Sequence, residues 1–382
     1  MNWIAVLIGH IGLWCFIFNR THATAWPRTW RKLIEKAVIL IVFLPIGAVS
    51  LNLWQAVDPS LNAIAGNNGS VLAYFYLCFA AAIWFAGTWL FRIVTVRTPS
   101  KVSHRRRTIL NVELKLGRRL TAGRFANLLR LIPGNRCCWI EIAEGEIEVG
   151  AIQAGLDGLK IAHLSDFHFT GGIQAEYFKF VIDQVNAANC DLVFLTGDLV
   201  DRPECLPWID TVFSRLVSRL GKFYVLGNHD LLIHDEADYR RRLAAAGLTA
   251  VGNGEWHRVL FNGSPLLLAG NELPWYQGAH SLPGAPDGDE PRFLLSHSPD
   301  QVRWAENREF DFMFAGHTHG GQIRFPIIGP VISPSRYGVR FAGGEFQVGN
   351  MIMLVSRGVS GDEPIRWNCL PQVNVWMFKL RK

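Results

Sequence analysis

The stretch FDFMFAGHTHGGQ, residues 310–322, joins a short apolar run to two histidines that are set between glycines. An apolar run that ends in a polar, glycine-rich cluster is typical of a buried strand followed by a loop. Two interpretations are open for 316–322: a tight turn with incidental histidines, or a loop that presents two imidazoles to a ligand. The rest of the chain has to distinguish them.

Four earlier apolar runs end in polar clusters in the same way. The runs are LKIAHL, DLVFL, KFYVL and RFLL, and the clusters are SDFH (165–168), TGDLVD (196–201), GNHD (227–230) and SHSPD (296–300). Helices are predicted near 174–188, 206–220 and 236–246, and this alternation predicts an α/β fold with parallel βαβ units. Ligands of open α/β sheets bind beyond the carboxyl ends of the strands, so we expect the clusters to meet in one crevice. An antiparallel hairpin is predicted within 249–270, where Phe-Asn-Gly-Ser separates two apolar runs.

The clusters contain the side chains that transition metals prefer. They supply two aspartates, one asparagine and four histidines: Asp166, Asp198, Asn228, His168, His297, His317 and His319. A mixed oxygen and nitrogen set suits Mn, Fe or Zn rather than Mg or Ca alone. Seven ligands exceed what one tetrahedral ion with an open position needs, but they suffice for two ions if one carboxylate bridges them.

In this order the motifs resemble those of the calcineurin-like metallophosphoesterase family, whose pattern is D-x-H, G-D, G-N-H-[DE], H and G-H-x-H. The resemblance runs from about residue 159 to 382 and includes every element of the pattern. It implies a layered β-sandwich flanked by helices. It also implies an enzyme that hydrolyses a phosphodiester or pyrophosphate bond with two divalent metal ions.

The resemblance assigns a role to each motif residue. It implies three ligands for one ion, three for the other and one bridge: Asp166, His168 and His319; Asn228, His297 and His317; and Asp198. It further implies that His229 contacts the scissile phosphate and helps the leaving group to depart, a contribution that is typically about 10² to 10⁴ in rate. Asp230 is open to two interpretations, orientation of His229 or a solvated capping residue.

The N-terminal part of the chain is rich in apolar residues. Three runs, at 3–18, 37–54 and 71–91, each have roughly the length that crosses about 30 Å of hydrocarbon as a helix. The first connection and the segment after the third run are basic, whereas 55–70 contains no Lys or Arg. Basic loops stay in the cytoplasm, so the pattern predicts a bundle of three transmembrane helices, an outside N-terminus and a cytoplasmic catalytic domain. The first run lacks a basic n-region and a cleavage site, which argues against a removable signal peptide.

The domain organisation expected from these patterns has three parts. They are a membrane anchor over 1–95, a basic juxtamembrane linker over 96–138 and a phosphoesterase domain over 139–382. Within the linker, RRLTAGRFANLLRLIP (118–133) spaces apolar residues along one helical face, which is typical of a helix lying on anionic headgroups or of an ordinary surface helix. The net charge of +6 is therefore attributed to the orientation of the membrane spans and to contact with lipid. The sequence contains no motif that reads bases, so nucleic acid is not expected as a partner.

Residues outside the motifs have weaker interpretations. His163 lies in an apolar strand and is expected in the core, while Arg324 and Arg357 either bind substrate phosphate or form structural ion pairs. Seven cysteines without a C-x-x-C spacing indicate a reduced, cytosol-facing protein without a disulfide framework. The vicinal pair Cys137-Cys138 is interpreted as incidental.

The predicted substrate is a phosphate-containing molecule of amphiphilic or lipid-linked character. The membrane spans and the apolar residues 273–276 favour this class. Some membrane-associated members of the family that this sequence resembles cleave the pyrophosphate of UDP-2,3-diacylglucosamine, and this molecule is the specific expectation. A generic phosphodiesterase activity and a phospholipid phosphatase activity stay open beside it. The alternative is a non-catalytic metal-binding membrane protein with a regulatory or scaffolding role, which the loss of a ligand or of His229 would favour. Neither is lost, and the sequence carries no signal for an oligomeric state.

Overall fold

The computed structural model describes residues 3–24, 26, 29–30, 32–42, 69–95 and 99–381, and the chain divides into two compact units. The first unit comprises 1–96 together with 334–340. The second comprises 97–333 and 341–382. Apolar helices build the first unit, and β-sheets build the second.

The first unit contains helices that suit a bilayer. They are α1 (Trp3–His22), a helical segment over 32–42, and α2 (Gly69–Thr95). Ile4–His22 and Ala73–Ile93 are long and apolar enough to cross a membrane, by length and composition. The predicted span at 37–54 lies largely outside the described residues, so a third span stays a prediction.

Close packing and polar contacts join α1 to α2. Gly9 faces the carbonyl of Cys78, and a Cβ at this position would overlap that oxygen. Small residues allow such close approach between helices in lipid. Nearby, the His10 Nδ1 and Tyr74 hydroxyl lie 2.7 Å apart, so both polar groups are satisfied within the apolar pair of helices.

The second unit is a layered α/β structure. In chain order its strands are β1 (Val102–Asn111), β2 (Trp139–Val149), β3 (Lys160–Leu164), β4 (Leu192–Thr196), β5 (Gly221–Val225), β6 (Thr249–Ala250), β7 (His257–Phe261), β8 (Ser264–Asn271), β9 (Arg292–Ser296), β10 (Phe312–Ala315), β11 (Arg324–Phe325), β12 (Gly329–Pro330), β13 (Gly344–Val348), β14 (Met351–Val355) and β15 (Gln372–Leu380). Its helices are α3 (Val112–Leu116), α4 (Arg124–Arg130), α5 (Ala175–Ala187), α6 (Pro207–Val212), α7 (Glu236–Ala245) and α8 (Val302–Asn307).

Two mixed sheets pack face to face in this unit. The first has the order β1-β2-β15-β3-β4-β5-β6, the second has the order β13-β14-β10-β9-β8-β7, and β11 and β12 form a separate hairpin. Strands β3, β4 and β5 are parallel neighbours, and so are β8, β9 and β10. The α/β fold with flanking helices is therefore confirmed, and the five motif-bearing strands are divided between two sheets.

Alternation along β4 shows where the core lies. Phe194 packs between the sheets, with its ring centroid 5.0 Å from that of Phe314 on β10. Val193 and Leu195 point the other way, into the cluster that includes Phe178 of α5. Successive side chains of a strand point to opposite faces, so a strand covered on both faces is apolar throughout. This double burial explains why the sequence shows continuous apolar runs.

The predicted hairpin within 249–270 is confirmed, with β7 and β8 paired antiparallel around a turn at Asn262-Gly263. Both turn residues have positive φ, 49° and 84°, as a two-residue hairpin turn requires. The helix predicted over 206–220 is too long, because α6 ends at Val212 and one further turn ends at Arg215. The Asn186 side chain binds the backbone at 215 and 217, which satisfies those groups outside a helix.

The segment interpreted as a linker contributes to the sheet of the second unit. Residues 102–111 form the edge strand β1, which pairs antiparallel with β2. A continuous helix over 118–133 is wrong: α4 covers only Arg124–Arg130, because Gly123 has φ 84° and Thr121 forms a β-bridge with Ile173. The domain limits themselves stay a prediction.

Candidate metal centre

Loops after strands of both sheets bring the predicted ligands together. The loops after β3, β4 and β5 carry Asp166, Asp198 and Asn228, and the loops after β9 and β10 carry His297 and His317. His297 Nε2 lies 3.1 Å from Asp198 Oδ2, so the contact joins the two sheets. The carboxyl ends of strands in both sheets therefore open onto one buried crevice.

The first group of metal-compatible donors consists of Asp166, His168, Asp198 and His319. One donor atom from each lies within 4.8 Å of the others. His168 Nε2 is 3.6 Å from Asp198 Oδ2, and His319 Nε2 is 3.6 Å from Asp166 Oδ1. The two imidazole nitrogens face each other at 3.2 Å. Two carboxylates and two imidazoles around one point are a mixed set that suits a transition metal ion.

The second group shares Asp198 with the first and adds His297 and His317, again within 4.8 Å. His317 Nδ1 lies 3.1 Å from His297 Nε2. Asn228 Oδ1 is also 3.1 Å from His297 Nε2, so the amide predicted from GNHD sits beside this group. A single carboxylate common to both groups is the arrangement in which one residue bridges two ions.

Hydrogen bonds on the far side of the imidazole rings fix which nitrogen faces the crevice. His297 Nδ1 lies 2.7 Å from the carbonyl oxygen of Thr196, and His168 Nδ1 lies 3.0 Å from Asp201 Oδ1. When Nδ1 donates its proton to these acceptors, Nε2 keeps its lone pair for a metal ion. The carbonyl and carboxylate therefore turn Nε2 of both rings towards the crevice, where a bound metal ion would take the place of a proton.

The backbone around the crevice adopts conformations that are costly without a compensating interaction. Five predicted ligands have positive φ between 46° and 70°, which is uncommon for residues other than glycine: Asp166, His168, Asp198, His317 and His319. Such strain concentrates at functional sites. A Cβ at Gly197 or Gly227 would overlap the ring of His297, so these glycines let the chain pass close to the ligands.

The electrostatics of the crevice favour positive charge. Burial opposes ionisation of Asp198, but His297, His229 and His168 outweigh it and hold the pKa of Asp198 well below its usual range. Burial likewise opposes protonation of His297, yet mainly Asp198 raises the pKa of His297 to about 9. Buried carboxylates that draw protons onto their imidazole neighbours are equally suited to bound cations. The donors, their tautomers and their charge fit two divalent metal ions.

His229, the predicted general acid, lies at the more open side of the crevice. About 26% of its side chain is exposed, whereas the side chain of His168 is fully buried. Its Nδ1 is 2.7 Å from Asp201 Oδ2, and its backbone N–H donates to Asp198 Oδ1 at 2.8 Å. Burial opposes protonation, but the charges of Asp201 and Asp198 outweigh it and raise the pKa of His229 to about 10. The ring is therefore oriented by Asp201, whose charge favours the protonated form, on a side of the crevice that a substrate can reach.

Asp201 is a functional residue that the sequence reasoning missed. It lies in the quoted cluster TGDLVD, three residues after Asp198, and its carboxylate contacts both His168 and His229. Burial opposes its ionisation, but these two histidines outweigh it and lower the pKa of Asp201. The sequence signal that could have identified Asp201 is its position three residues after Asp198 in the same polar cluster. These contacts suit a positioning residue for the predicted ligand His168 and for the predicted acid His229.

Asp201→Asn is expected to lower kcat by about 10- to 100-fold, the usual cost of removing a group that orients a metal ligand. The amide keeps the size of the side chain but removes the charge that holds a proton on His229. Steady-state rates and the metal content per chain measure the effect, with the exposed Asp210→Asn as the matched control. An unchanged kcat in Asp201→Asn would contradict the positioning role.

Asp230 has neither of the roles considered from the sequence. It is fully buried and accepts hydrogen bonds from the backbone N–H groups of Gly227, Asp198 and Leu199 at 2.7–2.9 Å. The Tyr239 hydroxyl also donates to it, at 2.6 Å. Asp230 therefore ties the loops after β4 and β5 together, while Asp201 orients the histidine.

The remaining sequence interpretations have mixed outcomes. His163 is a core residue as predicted, with its Nε2 2.9 Å from the Thr196 hydroxyl. Arg357 forms an ion pair with Glu141 at 2.8 Å, which confirms the structural interpretation. Leu273 and Tyr276 are buried, so they do not form the apolar substrate surface suggested by residues 273–276.

Two further residues contact the ligands. The Trp275 ring lies 5.1 Å from that of His317 and 5.4 Å from that of His297, so it walls one side of the second donor group. Arg366 is buried, and it donates to the backbone oxygen of His319 at 2.8 Å and also contacts Ser360. Arg366 belongs to none of the sequence motifs, because its role depends on a contact with His319, 47 residues earlier in the chain.

Comparisons with known proteins agree with this geometry. The family model described as calcineurin-like phosphoesterase matches residues 159–321. The metallophosphoesterase YkuE of Bacillus subtilis is 32% identical over 253 residues, covering 63% of this chain and 86% of YkuE. The phosphodiesterase YaeI of Escherichia coli is 29% identical over 227 residues, covering 56% and 80%. A transmembrane protein with metallophosphoesterase domain from Danio rerio is 27% identical over 203 residues, covering 49% and 46%.

Proposed function

The chain belongs to the calcineurin-like metallophosphoesterase family, and on that premise we propose that it is a membrane-anchored hydrolase that cleaves a phosphodiester or pyrophosphate bond with two divalent metal ions. The observation that carries the proposal is the pair of donor groups that share Asp198 beside an oriented His229. A scaffold that only held metal would not need an imidazole in this position.

We assign the ligands as the family motifs imply. Asp166, His168 and His319 hold one ion, and Asn228, His297 and His317 hold the other, with the Asp198 carboxylate between them. The distances of 3.1–3.6 Å from Asp198 to His297 and His168 support this division. The ligand types favour Mn, Fe or Zn.

The residues of the chain then divide the reaction between them. Two divalent ions, when bound, supply activation of water and stabilisation of charge on phosphate oxygens. Asp201 holds Nδ1 of His229, which leaves Nε2 to give its proton to the departing oxygen. The loops that carry the proposed ligands are buried, and Trp275 walls the side near His317.

The substrate we propose is lipid-linked, and UDP-2,3-diacylglucosamine is its specific form. Two helices of membrane length in the same chain support a substrate that resides in a bilayer. A transmembrane protein among the similar sequences supports the same interpretation. We further propose a multi-pass anchor with the catalytic domain on the cytoplasmic side, since the basic connections in the sequence favour that orientation.

A substrate comparison with the full chain in detergent tests the proposal. Protein loaded with Mn²⁺ is incubated with UDP-2,3-diacylglucosamine, with an aryl phosphodiester and with an aryl phosphomonoester. Release of UMP from the nucleotide lipid is the expected result. Turnover of aryl esters alone would retain the hydrolase and overturn the lipid substrate. If protein with two bound ions hydrolysed none of the three substrates, the non-catalytic regulatory or scaffolding role would be favoured.

A further inference from the structure

Two exposed apolar segments lie on opposite sides of Trp367 in the second unit. Asn135 forms a β-bridge with Trp367 on one side, and Ile323 forms a β-bridge with it on the other. The ring of Phe325 lies 6.0 Å from that of Trp367. The segments before Asn135 and after Ile323 therefore belong to one surface, which we call the Trp367 edge.

The first segment of the Trp367 edge is formed by α3, α4 and the turn that follows. Four of its apolar side chains are largely exposed: Leu114, Phe125, Leu128 and Leu131. Leu131 is 71% exposed and Leu128 is 63% exposed. An ion pair of 3.1 Å between Arg130 and Glu113 ties α4 to α3, so these exposed side chains belong to neighbouring helices.

The second segment is the hairpin of β11 and β12, which the sequence analysis did not predict. Phe325 and Ile328 are about half exposed, and Ile327 at its tip is 89% exposed. Ile327 has φ 68°, a conformation that is costly for a β-branched residue and that glycine would adopt freely. Contiguous exposed apolar surface of this kind marks a site of interaction with a protein or a membrane.

The charge around the patch selects between those partners. Residues 111–136 contain six Lys or Arg and one acidic residue, Glu113, which is already paired with Arg130. Arg119 and Arg124 are exposed and form no ion pair with any residue that the structure describes. Arg324 adds a cation beside the hairpin tip. Two exposed carboxylates, Asp362 and Glu363, lie on the segment just before Trp367, so these seven cations outnumber three acidic residues. Apolar side chains within such a net basic surface are complementary to the headgroup region of an anionic bilayer.

We propose that the Trp367 edge docks on an anionic lipid surface, with the hairpin tip and α4 inserted into the headgroup region and the arginines at the level of the lipid phosphates. The hairpin follows the metal-site loop directly in the chain, since β11 begins at Arg324, and the Gln322 N–H donates to the carbonyl oxygen of His319 at 3.1 Å. Docking therefore brings the crevice next to phosphate groups at the membrane surface. The docking itself does not depend on the proposed activity.

Environment-sensitive fluorescence of the full chain tests the docking. Ile327→Cys and Leu128→Cys, in a Cys15→Ser background because the other native cysteines are buried, are labelled with a nitrobenzoxadiazole dye. Leu260→Cys on β7 is the matched control, since Leu260 is 58% exposed and lies on an edge strand of the second sheet. The proteins are reconstituted into phosphatidylcholine vesicles with and without phosphatidylglycerol, and spin-labelled lipid is added as quencher.

The dyes at 327 and 128 are expected to shift to the blue and to be quenched in the anionic vesicles, while the dye at 260 is not. Removal of a cation in Arg119→Ser or Arg124→Ser is expected to lower the docked-to-undocked ratio roughly fivefold for each residue. Equal quenching at all three positions would overturn the proposal, and so would equal quenching in both kinds of vesicle. If the dyes instead shifted to the blue in detergent without vesicles, and more so at higher protein concentration, the Trp367 edge would bind a second copy of the chain rather than lipid. None of these readouts uses catalysis, so failure of the docking and failure of the proposed activity remain distinguishable.

Discussion

Asp198→Asn is expected to reduce hydrolysis by at least about 10³-fold, because losing one electrostatic group in an active site already costs about 10² to 10³. Asp198 is the carboxylate common to both donor groups, and its Oδ2 lies 3.1 Å from His297. The asparagine keeps the size of the side chain but removes the negative charge that would lie between two cations. The loss of rate is therefore expected together with a loss of metal.

Initial rates on an aryl phosphodiester, combined with the metal content of the same samples by mass spectrometry, measure this prediction. Asp183→Asn is the matched control, because Asp183 is a half-exposed carboxylate paired with Arg215 at the surface. The control is expected to keep both rate and metal. If Asp198→Asn bound two ions and retained more than about a tenth of the rate, the bridging role would be wrong.

His229→Asn is expected to lower kcat by about 10² to 10⁴ while the metal content stays unchanged. His229 lies outside the two donor groups around Asp198. It forms a third possible ligand cluster with His168 and Asp201, in which its Nδ1 is held by Asp201. The contribution proposed for His229 is a proton for the leaving oxygen. The loss is therefore expected to be large for an alkyl leaving group and small for an acidic phenol, which departs without a proton.

Rates on a pair of diesters that differ only in the pKa of the leaving group separate these effects. His234→Asn serves as the control, since His234 is an exposed histidine five residues later in the same region. A loss of equal size for both leaving groups would assign His229 to phosphate binding rather than to acid catalysis. A loss of metal from His229→Asn would contradict both roles.

The strands and the ligand clusters could be predicted because each depends on neighbouring residues. Strands that are buried on both faces consist of continuous apolar residues, as in β3, β4, β5, β9 and β10. The residues that follow each of these strands form the loops that carry the predicted ligands. The order of the motifs then identified the family. The sequence also predicted the hairpin of β7 and β8, because Asn262-Gly263 is a local turn signal.

The failures share a different physical cause. The helix predicted over 118–133 stops short because Thr121 pairs with Ile173, a residue about 50 positions away. Considered from the sequence alone, the apolar residues 273–276 favour an amphiphilic substrate, but packing places Leu273 and Tyr276 in the interior. The spacing of apolar residues predicts which residues lie on one face of an element, but it does not predict what that face packs against.

The sequence by itself determined the reaction class, the residue types of the site and the five strand-to-loop transitions that present them. Only the tertiary structure decided that these loops come from two sheets, that Asp201 rather than Asp230 orients His229, and that Arg366 supports the loop of His319. It alone also brought α4 and the β11–β12 hairpin to one exposed edge beside Trp367. The reason is that motifs follow from contiguous residues, whereas these roles depend on pairs of side chains far apart in the chain that meet only when the sheets pack.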